Sequence, residues 1–250
     1  MYSEKDMILK EQTDIVKFHA SLICDAQKKK DFSTSSAVIL VSVGQRPHET
    51  EKFESTINIV NNTFKSCAIA VCDSLQRHSL QLGTYYSDEE MYDISNQLGL
   101  EWISRNQHYI DRLTIPYTIF RWDDWLKRPD YLIYQQKIMD IYHSDPDFAN
   151  AMNSTITNFV TRFQKRQKNK LDEEVIKKAS FNYLVEECAI IMIMWQEKNY
   201  DFIVYPSASL EVMAATHAKF VLDEGLNLLN WVVIKLKKKI IKSLEEITEA

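Results

Sequence analysis

The sequence predicts an α/β fold in which a doubly wound parallel sheet is covered by helices on both faces. Two observations predict it. Short apolar runs recur along the chain without polar alternation, as in strands buried on both sides. Between them lie longer segments with apolar residues at three- and four-residue steps, the period of an amphipathic helix. Strand and helix in alternation build a parallel sheet whose crossovers cover it.

The elements follow in order. "AVILV", residues 37–41, is the first strand, and it runs into Ser42 and Gly44. A helix is expected from Pro47, because proline and acidic residues suit a first turn. Its apolar face is Phe53, Ile57, Val60 and Phe64. "CAIAVC", 67–72, is the second strand and ends at Asp73. Residues 87–112 are helical. "YTIF", 117–120, is the third strand, and 131–165 form a further helical stretch. Residues 171–199 form a long helix whose second half is apolar nearly all round and therefore belongs in the core. "FIVY", 202–205, is the fourth strand, stopped by Pro206. "NWVVIKL", 230–236, is a fifth candidate.

Composition limits what such a fold can do. The 250 residues contain no Gly/Ser/Pro-rich linker, so residues 1–250 read as one domain. A net charge of −5 gives no general attraction to nucleic acid. DNA binding is not expected, and RNA binding would need a local basic patch. Cys24, Cys67, Cys72 and Cys188 form no C-x-x-C pair, and no His/Cys/Asp/Glu cluster has ligand spacing. Neither a metal nor another cofactor is expected. The polar opening segment is no signal peptide, and the longest apolar run, "CAIIMIMW", is too short to span a bilayer. The expected compartment is the cytoplasm, away from membranes.

In doubly wound folds ligands bind beyond the carboxyl ends of the strands. Ser42, Asp73 and Tyr205 fall there. Ser42 is either a nucleophile or a polar turn. Leu40 stands where a G-x-S-x-G elbow has its first glycine, and no phosphate-loop signature occurs. Tyr183 and Glu187 are four apart and share a helix face, with Glu186 as a competitor. A part-buried carboxylate there needs either an internal cation or the ammonium group of a ligand. Tyr205 either caps the sheet or bonds a ligand. Basic residues gather at 28–30, 162–170 and 235–242, and Arg105, His108 and Arg112 form a thin stripe on one helix face. Taken singly, each feature is as well explained by a solvated surface or an ordinary turn.

Taken together, "ILVSVGQ", "YLVEE" and "VYP", in this order and at these separations, resemble the tRNA-dependent cyclodipeptide synthases. The likeness runs from about residue 37 to the strand near 236. It implies a Rossmann-like domain similar to the catalytic domain of class I aminoacyl-tRNA synthetases, here without their ATP-binding signatures. It implies two aminoacyl-tRNAs as substrates, a cyclic dipeptide (diketopiperazine) as product, and no ATP or metal at that step.

By position, Ser42 corresponds to the family's nucleophile, and Tyr183 and Glu187 to the pair that holds the substrate's amino group. Gln45 with Tyr205-Pro206 points to the branch called XYP. Gly44 would let the backbone approach the aminoacyl ester closely. Tyr205 would position or relay a proton at the serine oxygen. In the implied mechanism Ser42 takes the first aminoacyl group. The second aminoacyl-tRNA supplies an amine that attacks this ester, or accepts the first group. A dipeptidyl-enzyme results and cyclises. Arg105, Arg112, Arg162, Lys165 and Arg166 are the candidate tRNA contacts. Two rivals stand beside this one: a serine hydrolase or acyltransferase with a histidine near Ser42, and a non-catalytic, synthetase-like tRNA-binding module.

Overall fold

The computed structural model describes residues 15–23, 31–166, 171–198, 200–222 and 230–241. The strands are β1 (Ile15–Ile23), β2 (Ser36–Ser42), β3 (Ser66–Cys72), β4 (Tyr117–Arg121), β5 (Phe202–Tyr205) and β6 (Asn230–Ile241). They form one sheet in the order β1-β6-β5-β2-β3-β4. From β6 to β4 all pairings are parallel. From β2 the chain first builds outward to β3 and β4, then returns to lay β5 and β6 on the other side. The order therefore reverses between β2 and β5. That switch point opens a crevice beyond their carboxyl ends.

The five expected strands are present, and β6 runs on to Ile241. β1 was not expected. It pairs antiparallel with β6, Ile15 opposite Ile241, so the sheet is mixed rather than wholly parallel. Its partner lies more than two hundred residues away, and no local pattern in "IVKFHASLI" announces such a pairing.

The helices are α1 (Thr50–Asn61), α2 (Arg77–Leu80), α3 (Asp88–Ile110), α4 (Trp122–Leu126), α5 (Tyr131–Ser144), α6 (Pro146–Arg166), α7 (Glu173–Glu197) and α8 (Glu211–His217). Two boundaries differ from expectation. Pro47 lies in a short 3₁₀ turn, Arg46–His48, and α1 begins only at Thr50, whose φ is 54°. The 131–165 stretch is two helices. The residue before a proline avoids helical angles, and Asp145 (φ −114°, ψ 107°) breaks the stretch ahead of Pro146.

Alternate residues of a buried strand serve opposite faces. Ile39 and Val41 of β2 pack with Phe53 and Ile57 of α1 and Trp102 of α3. Val38 and Leu40 pack on the other face, with α4 to α8. There α7 lies deepest: every residue from Cys188 to Met194 is at most 1% exposed. The all-round apolar half of this helix is thus the second core, as its sequence requires.

One glycine of α3 has a packing reason. A Cβ on Gly99 would lie 2.3 Å from the Asp73 carboxylate. Asp73 is fully buried and cannot swing away, because Arg121 Nε and the Ser74 N–H donate to it at 2.6 and 2.8 Å. Gly99→Ala should lower stability by about 1–3 kcal/mol, the usual cost of overpacking. Denaturant unfolding of the variant measures it; an unchanged midpoint would mean that α3 can shift freely.

Candidate active site

The site forms where β2 and β5 part. Ser42 is the last residue of β2 and Tyr205 the last of β5. Their hydroxyls lie 3.1 Å apart, a hydrogen bond in which either can donate. After Ser42 the chain turns at once, with the Gln45 N–H donating to the Ser42 carbonyl at 3.1 Å. Gly44 is the third residue of this turn, at φ 80°, a conformation that favours glycine. Nothing lies within 4 Å of where its Cβ would be. The turn itself therefore requires the glycine.

Tyr205 is held between two rings, His48 at 5.4 Å and Trp231 at 5.7 Å. Burial lowers the His48 imidazole to about 4, so the ring is neutral at ordinary pH. It stacks on Tyr205; the Ser42 hydroxyl meets the phenol and not an imidazole. Burial pushes the Tyr205 phenol up to about 12, against the opposing pull of its bond to Ser42.

Beside this pair lies a cavity of about 450 Å³. Gln45, Cys72, Gln76, Tyr183, Glu187 and Tyr205 line it. Ser42 is not in the wall. It is 8% exposed and stands one hydrogen bond behind Tyr205.

Tyr183 and Glu187 sit one turn apart on α7, as their spacing requires. Burial, then the neighbouring Glu187 charge, push the Tyr183 phenol well above its usual range. Burial raises the Glu187 carboxyl to about 8, with the Glu186 charge adding to it. One Glu187 oxygen is buried without a hydrogen-bond partner. A buried carboxylate in that condition is unfavourable until a cation or donor reaches it.

Glu186 answers differently. Its carboxylate accepts from Arg77 through both guanidinium nitrogens, from Trp122 Nε1 at 2.9 Å, and lies 3.2 Å from His78 Nε2. Burial alone would raise it, but the bonds from His78 and Arg77 prevail and hold it below the usual glutamate range. Of the two adjacent glutamates, Glu186 ties α2, α4 and α7 together, and Glu187 faces the cavity.

The remaining sequence candidates divide. Arg162 and Arg166, near the end of α6, are at the cavity's edge, with exposed Lys165 between them in sequence. Arg105 is on α3, which packs on the opposite face of the sheet, and Arg112 lies in the turn just past its end at Ile110, short of the helix expected to 112; they pair with Glu49 and Glu54. The cavity does not include them. Nor does it include Asp73, which the structure commits to Arg121. Pro206 follows β5 directly, half-buried. Lys235, Lys237, Lys238 and Lys239 lie on β6 where it pairs with β1. The run 28–30 and residues 167–170 and 242 of the other basic segments lie outside the described residues, as does Cys24. Gln76, His78 and Trp231 were missed from sequence. They come from a 3₁₀ turn, from the short α2 and from the start of β6, and no spacing rule links them to Ser42.

No family model and no curated protein matches the chain. Solved structures do. A cyclodipeptide synthase from Fluoribacter dumoffii is 38% identical, covers 91% of this chain and 100% of its own, and superposes with a TM-score of 0.84.

The chain belongs to the cyclodipeptide synthases.

The cyclodipeptide synthase from Candidatus Glomeribacter gigasporarum, solved bound to Phe-tRNAPhe, shares the fold at 17% identity. Its TM-score is 0.68, over 86% of this chain and 92% of that one. A Mycobacterium tuberculosis protein, described as relating cyclodipeptide synthetases to type I tRNA synthetases, shares it at 13% identity and TM-score 0.57, over 88% of this chain and 94% of its own. In this synthase no helix among the described residues is long and apolar enough to cross a membrane. The synthase has the expected α/β sheet with helices on both faces and a switch point between β2 and β5.

Proposed function

We propose that this synthase joins the aminoacyl groups of two aminoacyl-tRNAs through ester intermediates on Ser42, and that residues 1–250 act as one catalytic domain. One observation carries the proposal. At the switch point the Ser42 hydroxyl is bonded to Tyr205, beside a cavity where the buried carboxyl of Glu187 has an oxygen without a partner. An acyl acceptor and a receptor for an ammonium group thus share one crevice.

The steps follow from this placement. The Ser42 oxygen attacks the ester carbonyl of the first aminoacyl-tRNA. The bond to the ribose oxygen breaks, and that oxygen takes up the phenolic proton of Tyr205 as Tyr205 receives the proton of Ser42, so that the phenol ends as it began. Tyr183 and Glu187 hold the amino group meanwhile, the charged partner giving the stronger bond. That amine then attacks the ester of the second aminoacyl-tRNA, which releases the second tRNA and leaves a dipeptide on Ser42. The free amine of the dipeptide attacks the Ser42 ester, closing the six-membered ring and returning the proton to the serine. An ester is activated enough for these steps, so orientation within the cavity supplies much of the rate, about 7–11 kcal/mol of barrier in well-aligned cases.

Gln45 with Tyr205-Pro206 places the enzyme in the XYP-type branch. Arg162, Lys165 and Arg166 take tRNA phosphates at the cavity's edge, and Arg105 of α3 and Arg112 just past its end contribute in exchange for their glutamate partners. A relative solved with Phe-tRNAPhe supports the choice of substrate class. The enzyme works in the cytoplasm, where charged tRNA is made.

The test is product analysis. Purified enzyme with two aminoacyl-tRNAs should yield one diketopiperazine for every two tRNAs deacylated, seen by mass spectrometry. Deacylation that leaves only free amino acids would make the protein a hydrolase.

A further inference from the structure

Between α2 and α3 the chain passes through "LGTYYS", residues 82–87. Leu82 lines the cavity, and so does Ser79 just before it. Gly83 meets Leu171, whose Cδ1 is 3.7 Å from where a Cβ would be. Leu171 leads into α7, only five residues after Arg166 in the chain. This loop therefore belongs to the same rim as Arg162 and Arg166. Three and four residues beyond Leu82 stand two consecutive tyrosines: Tyr85 is 107% and Tyr86 53% exposed. Neither ring contacts another residue's ring, and neither hydroxyl has a hydrogen bond, among the described residues. A tyrosine has no internal reason to stand so fully in water, and two in succession, a few residues from the cavity that Arg162 and Arg166 also line, form a patch that calls for a ligand.

We infer that Tyr85 and Tyr86 are a stacking platform for unpaired nucleobases at the single-stranded acceptor end of the tRNA. The inference rests on the proposed use of aminoacyl-tRNA and follows from geometry. The ester must reach Ser42 through the cavity, so the terminal nucleotides that carry it have to cross the rim. Bases freed from a duplex stack on aromatic side chains whatever their sequence, while arginines and lysines neutralise the phosphates between them. Tyr85 and Tyr86 offer the faces, and Arg162, Lys165 and Arg166 the charge. A platform indifferent to base identity also suits an enzyme that takes two aminoacyl-tRNAs in turn, since the single-stranded acceptor end is common to both.

The experiment uses a labelled acceptor-stem helix with its single-stranded 3′ end and the same helix trimmed blunt, each titrated with the full-length enzyme. The parent should bind the complete helix more tightly than the trimmed one. The double variant Tyr85→Ala/Tyr86→Ala should bind the complete helix about 5- to 100-fold more weakly, the loss expected for one or two bases without their stack, and should no longer distinguish the two helices. Tyr85→Phe/Tyr86→Phe should bind as the parent does, because the ring and not the hydroxyl makes the contact. A parent that binds both helices alike, or an alanine variant that weakens both equally or neither, overturns the inference. Both rings are exposed, so the variants fold. Diketopiperazine formation by the parent, assayed in parallel, separates a failure of the proposed function from a failure of the platform.

Discussion

Ser42→Ala is expected to reduce cyclic dipeptide formation by at least ~10³-fold, because the acyl group then has no oxygen to move to. Mixing the parent with one aminoacyl-tRNA alone should leave a mass increase of one aminoacyl residue on the peptide containing Ser42, and the variant should show none. Aminoacyl-tRNA binding should persist, since Ser42 is 8% exposed and stands behind the cavity wall. The variant should also fold. The Tyr205 phenol loses a hydrogen-bond partner worth about 1 kcal/mol, and the rings of His48 and Trp231 still hold it. A variant that makes product at the parent's rate would show that Ser42 carries no acyl group. The serine would then be the turn residue that its local sequence also allows.

Glu187→Gln is expected to separate activity from stability. Without the carboxylate the substrate's ammonium loses a charge-assisted bond, and kcat/KM should fall by about 10- to 100-fold. Stability should move the other way. In the folded protein burial raises Glu187 to about 8 from the ordinary 4.5. The folded state therefore holds this proton more tightly than the unfolded chain does. The stability that it contributes is complete below the unfolded value and is lost as pH rises through about 8. The melting temperature of the parent should fall across that range relative to the glutamine variant, which has nothing to ionise there. Parallel melting curves over the whole range would contradict the burial of an ionisable Glu187. Unchanged turnover would remove Glu187 from the site, and Glu186 could not replace it, because Arg77, His78 and Trp122 already occupy its oxygens.

The legible parts of the site were those written in short spacings. Tyr183 and Glu187 could be placed on one face because a helix brings residues four apart together. Ser42 and Tyr205 could be placed at strand ends because β-rich apolar runs stop there. That the two hydroxyls touch was not legible. It depends on β5 docking against β2 after an excursion of more than 150 residues, and hydrophobic pattern does not specify which strands become neighbours. The choice between Glu186 and Glu187 was hidden for the same reason. Both lie within a turn of Tyr183, and only the positions of α2 and α4 decide which carboxylate is satisfied. Asp73 shows the converse error. A strand-end carboxylate looks like a pocket residue until Arg121 and Gly99 are seen to enclose it. The Arg105–Arg112 stripe does not form one helix face, because α3 ends at Ile110 and leaves Arg112 in the following turn, and α3 packs on the side of the sheet away from the cavity.

By itself the sequence determined the α/β class, the five parallel strands and the buried second half of α7, because burial on two faces and helical periodicity are properties of consecutive residues. It also determined which side chains could carry acyl-transfer chemistry, and through the ordered set of short motifs it indicated the family. Only the tertiary structure decided that Ser42 and Tyr205 share a hydrogen bond and that Glu187 rather than Glu186 faces the cavity. It also brought Leu82, three residues before Tyr85, to the cavity that Arg162 and Arg166 share. These are relations between segments distant in the chain. They are fixed by which strands pair and which faces pack, and no local pattern encodes them.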